Sequence, residues 1–488
     1  METGSNNKGI FLSLDWVTIV FYLVLLVWGW FSVCGASYSF ENPDLFSFEE
    51  FSGKQLVWIG SSVFLAVILL FVEKRFYEIS AYFLYVAMML LLVVTIFIAP
   101  DTKGSHSWIP LGAGIKLQPA EFAKFTVALA MGKFMSRYGF YLSKPKNFIA
   151  TCAFFIVPML LIVLQKETGT ALVYLTFFLV LYREGMTGSL LFTAFAAVVY
   201  FVVGVRYGDV MIENMPVVIG EFAVLLLAQL FTTAMTQVYG NRWHDTRIML
   251  YGGVGLSLLA FLFSKFVIPF NLCWILLGIV VLQAGFLIWL SIQRQSWRHA
   301  LIAVFALFSA SMFYVCDTIL EHLDDHQRVR IEVLLGKRDD LRGAGYNVNQ
   351  AKIAIGSGGV TGKGFLNGTQ TKLKYVPEQN TDFIFCTVGE EEGFVGATGV
   401  LVCYLIFILR LLKLSERQPD TLGRVYGYSV SCIFLFHLFI NVGMVLGLTP
   451  VIGIPLPFFS YGGSSLWGFT ILLFIFLRMD AERNLKRQ

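Results

Sequence analysis

Charge is scarce in this chain. Asp, Glu, Lys and Arg supply 14% of its 488 residues and apolar types 57%, whereas a soluble domain carries about a quarter charged residues. With a mean hydropathy of +0.71, the composition excludes a water-soluble globule. Cysteine is sparse as well. Cys34, Cys152, Cys273, Cys316, Cys386, Cys403 and Cys432 are odd in number, lie mostly in apolar stretches and show no CxxC spacing. That excludes a disulfide framework and a cysteine metal cluster and leaves buried packing. A basic domain is also lacking: the net charge of +4 is spread over short loops, so nothing points to nucleic acid.

What the chain has instead is apolar length. Runs of the roughly 20 residues a bilayer crossing needs occur about fourteen times, at 15–36, 55–72, 77–99, 119–136, 147–165, 168–183, 187–205, 216–237, 249–268, 271–291, 298–320, 394–412, 425–447 and 464–479. The first lacks the usual basic lead-in and is long enough to span, so it is expected to stay as a helix rather than be cleaved. The expected fold is an all-α polytopic integral membrane protein. Lys and Arg set its orientation, because they collect in cytoplasmic loops. With the N-terminus inside, the inner loops carry Lys74, Arg75, Arg137, Lys144, Lys146, Arg183, Arg242, Arg247, Arg294, Arg298, Arg410, Lys413, Arg417 and Arg424. The outer loops hold few cations, chiefly Lys54, Lys103, Lys116, Lys166 and Arg206.

Residues 321–393 form one long, polar, Gly-rich connection on the outer side, and loops of that length are usually functional. It opens at 321–335 with charges interleaved among apolar residues, as in a short interfacial helix. It closes on Tyr375-Val376-Pro377-Glu378-Gln379-Asn380-Thr381-Asp382-Phe383, which puts a carboxylate at the water–lipid boundary. Two further outer segments, 103–124 and 449–465, are dense in Pro, Gly and polar residues. Irregular backbone at membrane depth persists only where protein buries it or where it lines a polar cavity. A shared cavity open to the outside is therefore expected.

Four motifs carry a resemblance. They are Gln118-Pro119-Ala120-Glu121-Phe122-Ala123-Lys124; Gln165-Lys166-Glu167-Thr168-Gly169-Thr170; the run Gly356–Gly364 continuing through Pro377-Glu378 and Thr381-Asp382-Phe383 to Glu390-Glu391; and Asn441-Val442-Gly443 with Pro455–Ser465. In that order they resemble the SEDS family (shape, elongation, division and sporulation) of membrane glycosyltransferases, closer to its elongation (RodA) branch than to its division (FtsW) branch. The resemblance covers about 10–200 and 320–480 and implies a bundle of about ten core helices. On that basis 206–320 reads as an insertion of about four helices, and the chain divides into 1–205, 206–320, the large catalytic loop 321–393, and 394–488. Two side chains depart from the family pattern: Ser107 stands where an Arg is common, and Glu167 where many members have Asp.

The resemblance implies polymerisation of lipid II at the outer face of the bacterial cytoplasmic membrane. A sugar hydroxyl attacks the donor's anomeric carbon and polyprenyl diphosphate leaves, which requires a base and positive charge for the leaving group. Asp382 is the candidate base; the bland alternative is an N-cap for a helix starting near Phe383. Lys116, Arg328, Arg330 and Lys363 are candidate diphosphate cations, each taken alone more readily a solvated charge. Glu121 and Lys124, three apart on one helix face, either shape the cavity or touch substrate, and Glu167 is similarly open. Gln118, Glu378 and Ser460 join the substrate-binding candidates through the motifs. His322 and His326 have the i,i+4 spacing of a metal pair, but a solvated interfacial pair is the simpler reading. A divalent cation (Mg or Mn) would suit a diphosphate leaving group, though no ligand cluster demands one. The run Gly356–Gly364 fits neither GxxxxGK[ST] nor GxGxxG and reads as turns. Implied partners are a class B penicillin-binding transpeptidase, other elongation-complex proteins and membrane lipids. A lipid II flippase, or a non-catalytic scaffold, would use similar features.

Overall fold

In the computed structural model the described residues are 12–38, 44–102, 104–112, 115–212, 215–240, 242–322, 325–338, 343 and 345–485. They are helical almost throughout. In chain order the first elements are α1 (Trp16–Ser37), α2 (Phe51–Phe71), α3 (Lys74–Ile98), a hairpin of β1 (Ile109–Gly112) and β2 (Ile115–Leu117), α4 (Pro119–Met135), α5 (Pro145–Leu164) and α6 (Thr168–Arg183). Next come α7 (Gly188–Tyr207), α8 (Ile219–Gly240), α9 (Trp243–Phe266), α10 (Leu272–Arg294), α11 (Trp297–His322) and α12 (Asp325–Leu334). The last are α13 (Tyr346–Gly358), α14 (Thr369–Lys372), α15 (Ile384–Glu391), α16 (Gly393–Glu416), α17 (Thr421–Leu446) and α18 (Gly463–Leu485).

All fourteen expected segments are helical, and among the described residues twelve helices are long and apolar enough to cross a bilayer. The other two are shorter. α4 has 17 residues, about 25 Å at 1.5 Å per residue, and α6 is interrupted by a 3-10 turn at Tyr174–Thr176. Helix ends follow local chemistry. Asp15 caps α1 by accepting from the Thr18 N–H at 3.1 Å and the Thr18 hydroxyl at 2.6 Å, as a favoured N-cap does. Pro119 and Pro145 open α4 and α5, where the missing N–H matters least.

The chain packs as two compact units, Met1–Met186 with Tyr346–Gln488, and Thr187–Gly345. This cut lies one helix earlier than the expected boundary after residue 205, because α7 packs with the helices that follow it. Its Ala196 and Tyr200 belong to a core with Val224, Ala228, Val280 and Phe305, and the Tyr200 hydroxyl donates to Ser309 at 3.1 Å. The long connection is divided as well: α12 falls in the second unit and residues 346–393 in the first.

In the first unit α17 and α18 are the most enclosed of the described spans, and α3 is among the least. Loops expected on the inside are tied together by ion pairs: Lys74 to Asp420 at 2.6 Å, Arg424 to Glu184 at 2.8 Å, Arg183 to Glu416 at 2.8 Å, Arg410 to Asp15, and Arg417 to the fully buried Asp480. Asp15 and Asp480 are buried at these junctions, so their arginine partners keep a buried charge compensated, whereas the exposed Arg183–Glu416 pair contributes little.

Candidate active site

The three irregular outer segments converge. Ser464, at the start of α18, donates its hydroxyl to the Lys116 carbonyl at 3.0 Å and accepts the Gln118 N–H at 3.3 Å. This joins the hairpin, where Ile109 pairs with Leu117 and Pro110 with Lys116, to the C-terminal motif. Ser460 donates to the Thr381 carbonyl at 2.6 Å while accepting the Leu456 N–H at 2.9 Å. The Tyr461 N–H reaches the Asn380 carbonyl at 2.9 Å. Asn441 of α17 gives both amide hydrogens away, to the carbonyls of Asp382 and Ile454, each at 2.8 Å.

Asp382 is therefore held by its backbone. Its N–H joins those of Thr381 and Phe383 on the Glu378 carbonyl, each at 3.2 Å. Glu378 takes φ +54°, a conformation that costs a non-glycine residue of order 1 kcal/mol or more and gathers at functional sites. The N-cap alternative fails: α15 begins at Ile384, its cap is Phe383, and no side chain caps it. The Asp382 side chain is half-buried and faces Gly453, where an added Cβ would lie 3.3 Å from Oδ2. Gly453 has φ +74°, so glycine satisfies both backbone and space there.

The other candidates have defined partners. Glu121 and Lys124 form a buried pair at 2.8 Å, with side-chain exposures of 2% and 0%. Lys124 also contacts His437 at 3.2 Å and lies 4.7 Å from the Phe469 ring centre. Glu167 accepts the Ser107 hydroxyl at 2.8 Å, so the two departures from the family pattern meet each other. Burial pushes the Glu167 carboxyl up, against the lowering effect of the Ser107 and Ser105 hydroxyls. Lys363 pairs with the fully buried Glu390 at 2.7 Å. Glu390 also accepts the N–H groups of Gln370 at 2.8 Å and Thr371 at 2.9 Å. Burial alone would raise its carboxyl, but Lys363 and these N–H donors hold it below the usual range.

Lys116 and Glu378 are exposed. Arg328 and Arg330 lie on α12 in the second unit, where Arg328 pairs with Glu332 at 2.8 Å. The metal-pair spacing of His322 and His326 lapses: His322 ends α11 while His326 belongs to α12, and no group of three potential metal-ligating side chains forms among the described residues. Gly356 to Gly358 end α13, and the turns follow at Gly359, Gly362 and Gly364, all with positive φ. Two residues were not singled out from the sequence: Asn441, quoted only within its motif, and His437. The available signal for His437 was an ionisable side chain inside an apolar span, one turn before an asparagine.

The FtsW/RodA/SpoVE family model, described as cell cycle protein, matches residues 15–217 and 220–485. The chain belongs to this family. It is 31% identical to the peptidoglycan glycosyltransferase RodA of Treponema pallidum, over 88% of this chain and 89% of that protein. It is 28% identical to the peptidoglycan glycosyltransferase MrdB of Escherichia coli K12, over 95% and 93%. Among solved structures, a chain from a peptidoglycan synthase complex that coordinates polymerization and crosslinking aligns with TM-score 0.58 at 22% identity, covering 96% of this chain and 98% of that one. The rod shape determining protein RodA of Thermus thermophilus aligns with TM-score 0.54 at 21% identity, covering 96% and 97%. At these identities the structural matches speak for the fold. The FtsW/RodA/SpoVE membership and the site geometry together bear on function.

Proposed function

We propose that this chain is a peptidoglycan glycosyltransferase that polymerises lipid II for cell elongation, with Asp382 as the general base. The observation that carries the assignment is the clamp on residues 380–382. Asn441, Ser460, the Tyr461 N–H and the Glu378 carbonyl fix the backbone on both sides of a half-buried carboxylate. A side chain that served only to cap a helix would not need that scaffold. A general base must be held within hydrogen-bond reach of the proton it removes.

In the proposed step Asp382 takes the proton from the acceptor sugar hydroxyl. That oxygen forms the new bond to the anomeric carbon as the bond to the diphosphate oxygen breaks, and polyprenyl diphosphate departs. The exposed Lys116, on the hairpin anchored beside the clamp, is the cation proposed to receive the leaving group's charge. Glu378 stays as a proposed substrate contact beside Asp382, and Arg328 and Arg330 stay as proposed diphosphate cations on the strength of the resemblance alone. Gln118, Glu121, Lys124, Glu167, Lys363 and Ser460 are proposed to hold the cavity's shape, since each is buried or bound to another protein group. The site is proposed to face the outside of the bacterial cytoplasmic membrane. A penicillin-binding transpeptidase is the proposed partner, which the match to a chain from a polymerising and crosslinking complex supports. The four spans between residues 219 and 316 are proposed as helices added to the family core.

Purified full-length chain in vesicles with lipid II tests this reading. Asp382→Asn should cut glycan polymer at least about 100-fold, the low end of a general base's contribution, with an unchanged thermal midpoint. Polymer at the wild-type rate would refute the assignment. Transbilayer movement of lipid II without polymer would favour a transporter, and neither activity a scaffold.

A further inference from the structure

His437 is 1% exposed on α17. One ring nitrogen, Nδ1, lies 3.0 Å from the Pro455 carbonyl, and the other, Nε2, lies 3.2 Å from the Lys124 ammonium. A carbonyl oxygen can only accept and an ammonium can only donate. The ring is therefore neutral, with its hydrogen on Nδ1, and Lys124 donates to Nε2. The ring meets Phe469 edge-on, with centres 4.8 Å apart. Lys124, itself without exposure, has Glu121 as its other polar partner. Glu121, Lys124 and His437 thus form a buried polar chain ending on a backbone carbonyl.

That carbonyl lies in the irregular segment beside Asp382. One helical turn on, Asn441 holds the neighbouring Ile454 carbonyl and the Asp382 carbonyl. Positions i and i+4 share a helix face, so His437 and Asn441 grip consecutive residues of one strand of chain. The next residue back, Gly453, faces the Asp382 carboxylate. We infer that His437 is a positioning residue: it ties the buried Glu121–Lys124 pair to residues 453–455 and so fixes the wall against which Asp382 works. The Glu121–Lys124 pair then serves the reaction through His437 without touching substrate. This rests on Asp382 being the reacting carboxylate, and the experiment separates the two.

Full-length His437→Gln, His437→Phe and Asp382→Asn are compared in vesicles with lipid II, with thermal midpoints measured alongside. Glutamine can accept from Lys124 through its oxygen and donate to Pro455 through its amide, so His437→Gln should keep at least half of kcat. Phenylalanine fills the space but supplies neither bond. His437→Phe should lower kcat about 10- to 100-fold, the scale of a small misplacement of a reacting group, with KM for lipid II changed less than about two-fold. Should His437→Phe not yield monodisperse protein, His437→Asn replaces it under the same expectations, because its side chain is too short to span both partners. Wild-type kcat in His437→Phe, or equal losses in the Gln and Phe variants, overturns the inference. So does a loss expressed mainly in KM, which would indicate direct substrate contact. An active Asp382→Asn overturns the base assignment instead.

Discussion

Glu391 is a carboxyl pressed against backbone. An added Cβ on Gly35 would clash with its Oε2, and its Oε1 has no hydrogen-bond partner among the described residues. Burial pushes its pKa up to about 7; the Leu366 N–H and Lys372 oppose this, while the charges of Glu390 and Glu392 add to it. Because the folded value lies above the ordinary 4.5, the uncharged form is the one the fold favours. Its stabilising contribution is present below about pH 4.5 and is lost as pH rises through about 7. The size of that loss is about 3 kcal/mol, at 1.36 kcal/mol per pH unit of difference. Glu391→Gln should therefore lose less melting temperature than the parent chain between pH 5 and 8. Thermal unfolding in detergent at several pH values checks this, and parallel curves for the two proteins would contradict it.

At the level of elements, the segment between α17 and α18 has little regular structure and owes its path to side chains of α17 and to its own Ser460. Ser460, Asn441 and His437 each bind backbone in it or next to it. Gly453 in it has positive φ and a carboxylate at the position a side chain would approach. Gly453→Ala should cost about 1–2 kcal/mol from the left-handed backbone alone. It should also lower polymerisation well beyond what that loss of stability explains. Polymer yield and thermal midpoint measured together check it; an active variant would show that the wall beside Asp382 tolerates displacement. This element was partly legible. The Pro and Gly density of 449–465 announced broken backbone, but sequence spacing could not reveal which distant side chains would hold it.

For the whole molecule, the ion pairs that join Asp15, Lys74, Glu184, Arg410, Arg417, Asp420, Arg424 and Asp480 gather residues expected on the cytoplasmic side. The clamp around Asp382 gathers residues expected outside. Single cysteines at Thr381 and Lys413 should therefore label from opposite sides with a membrane-impermeant maleimide in intact spheroplasts: Thr381→Cys readily, Lys413→Cys only after permeabilisation. Six of the seven native cysteines are buried, which keeps the background low. Labelling of both from the same side would overturn the orientation.

The sequence by itself determined that this protein lives in a bilayer as a helical bundle, because apolar length and charge placement are one-dimensional properties. Composition and four short motifs were enough for the family and for Asp382 as the candidate base. Tertiary structure alone decided what surrounds that carboxylate. Asn441 lies 59 residues along the chain from Asp382, and His437 lies 313 from Lys124. No periodicity links positions so far apart. The same holds for Lys363, which the sequence offered as a diphosphate or solvated cation and whose partner proved to be the buried Glu390. A buried charge takes whichever partner the packing brings within reach, and packing is settled only when the helices meet.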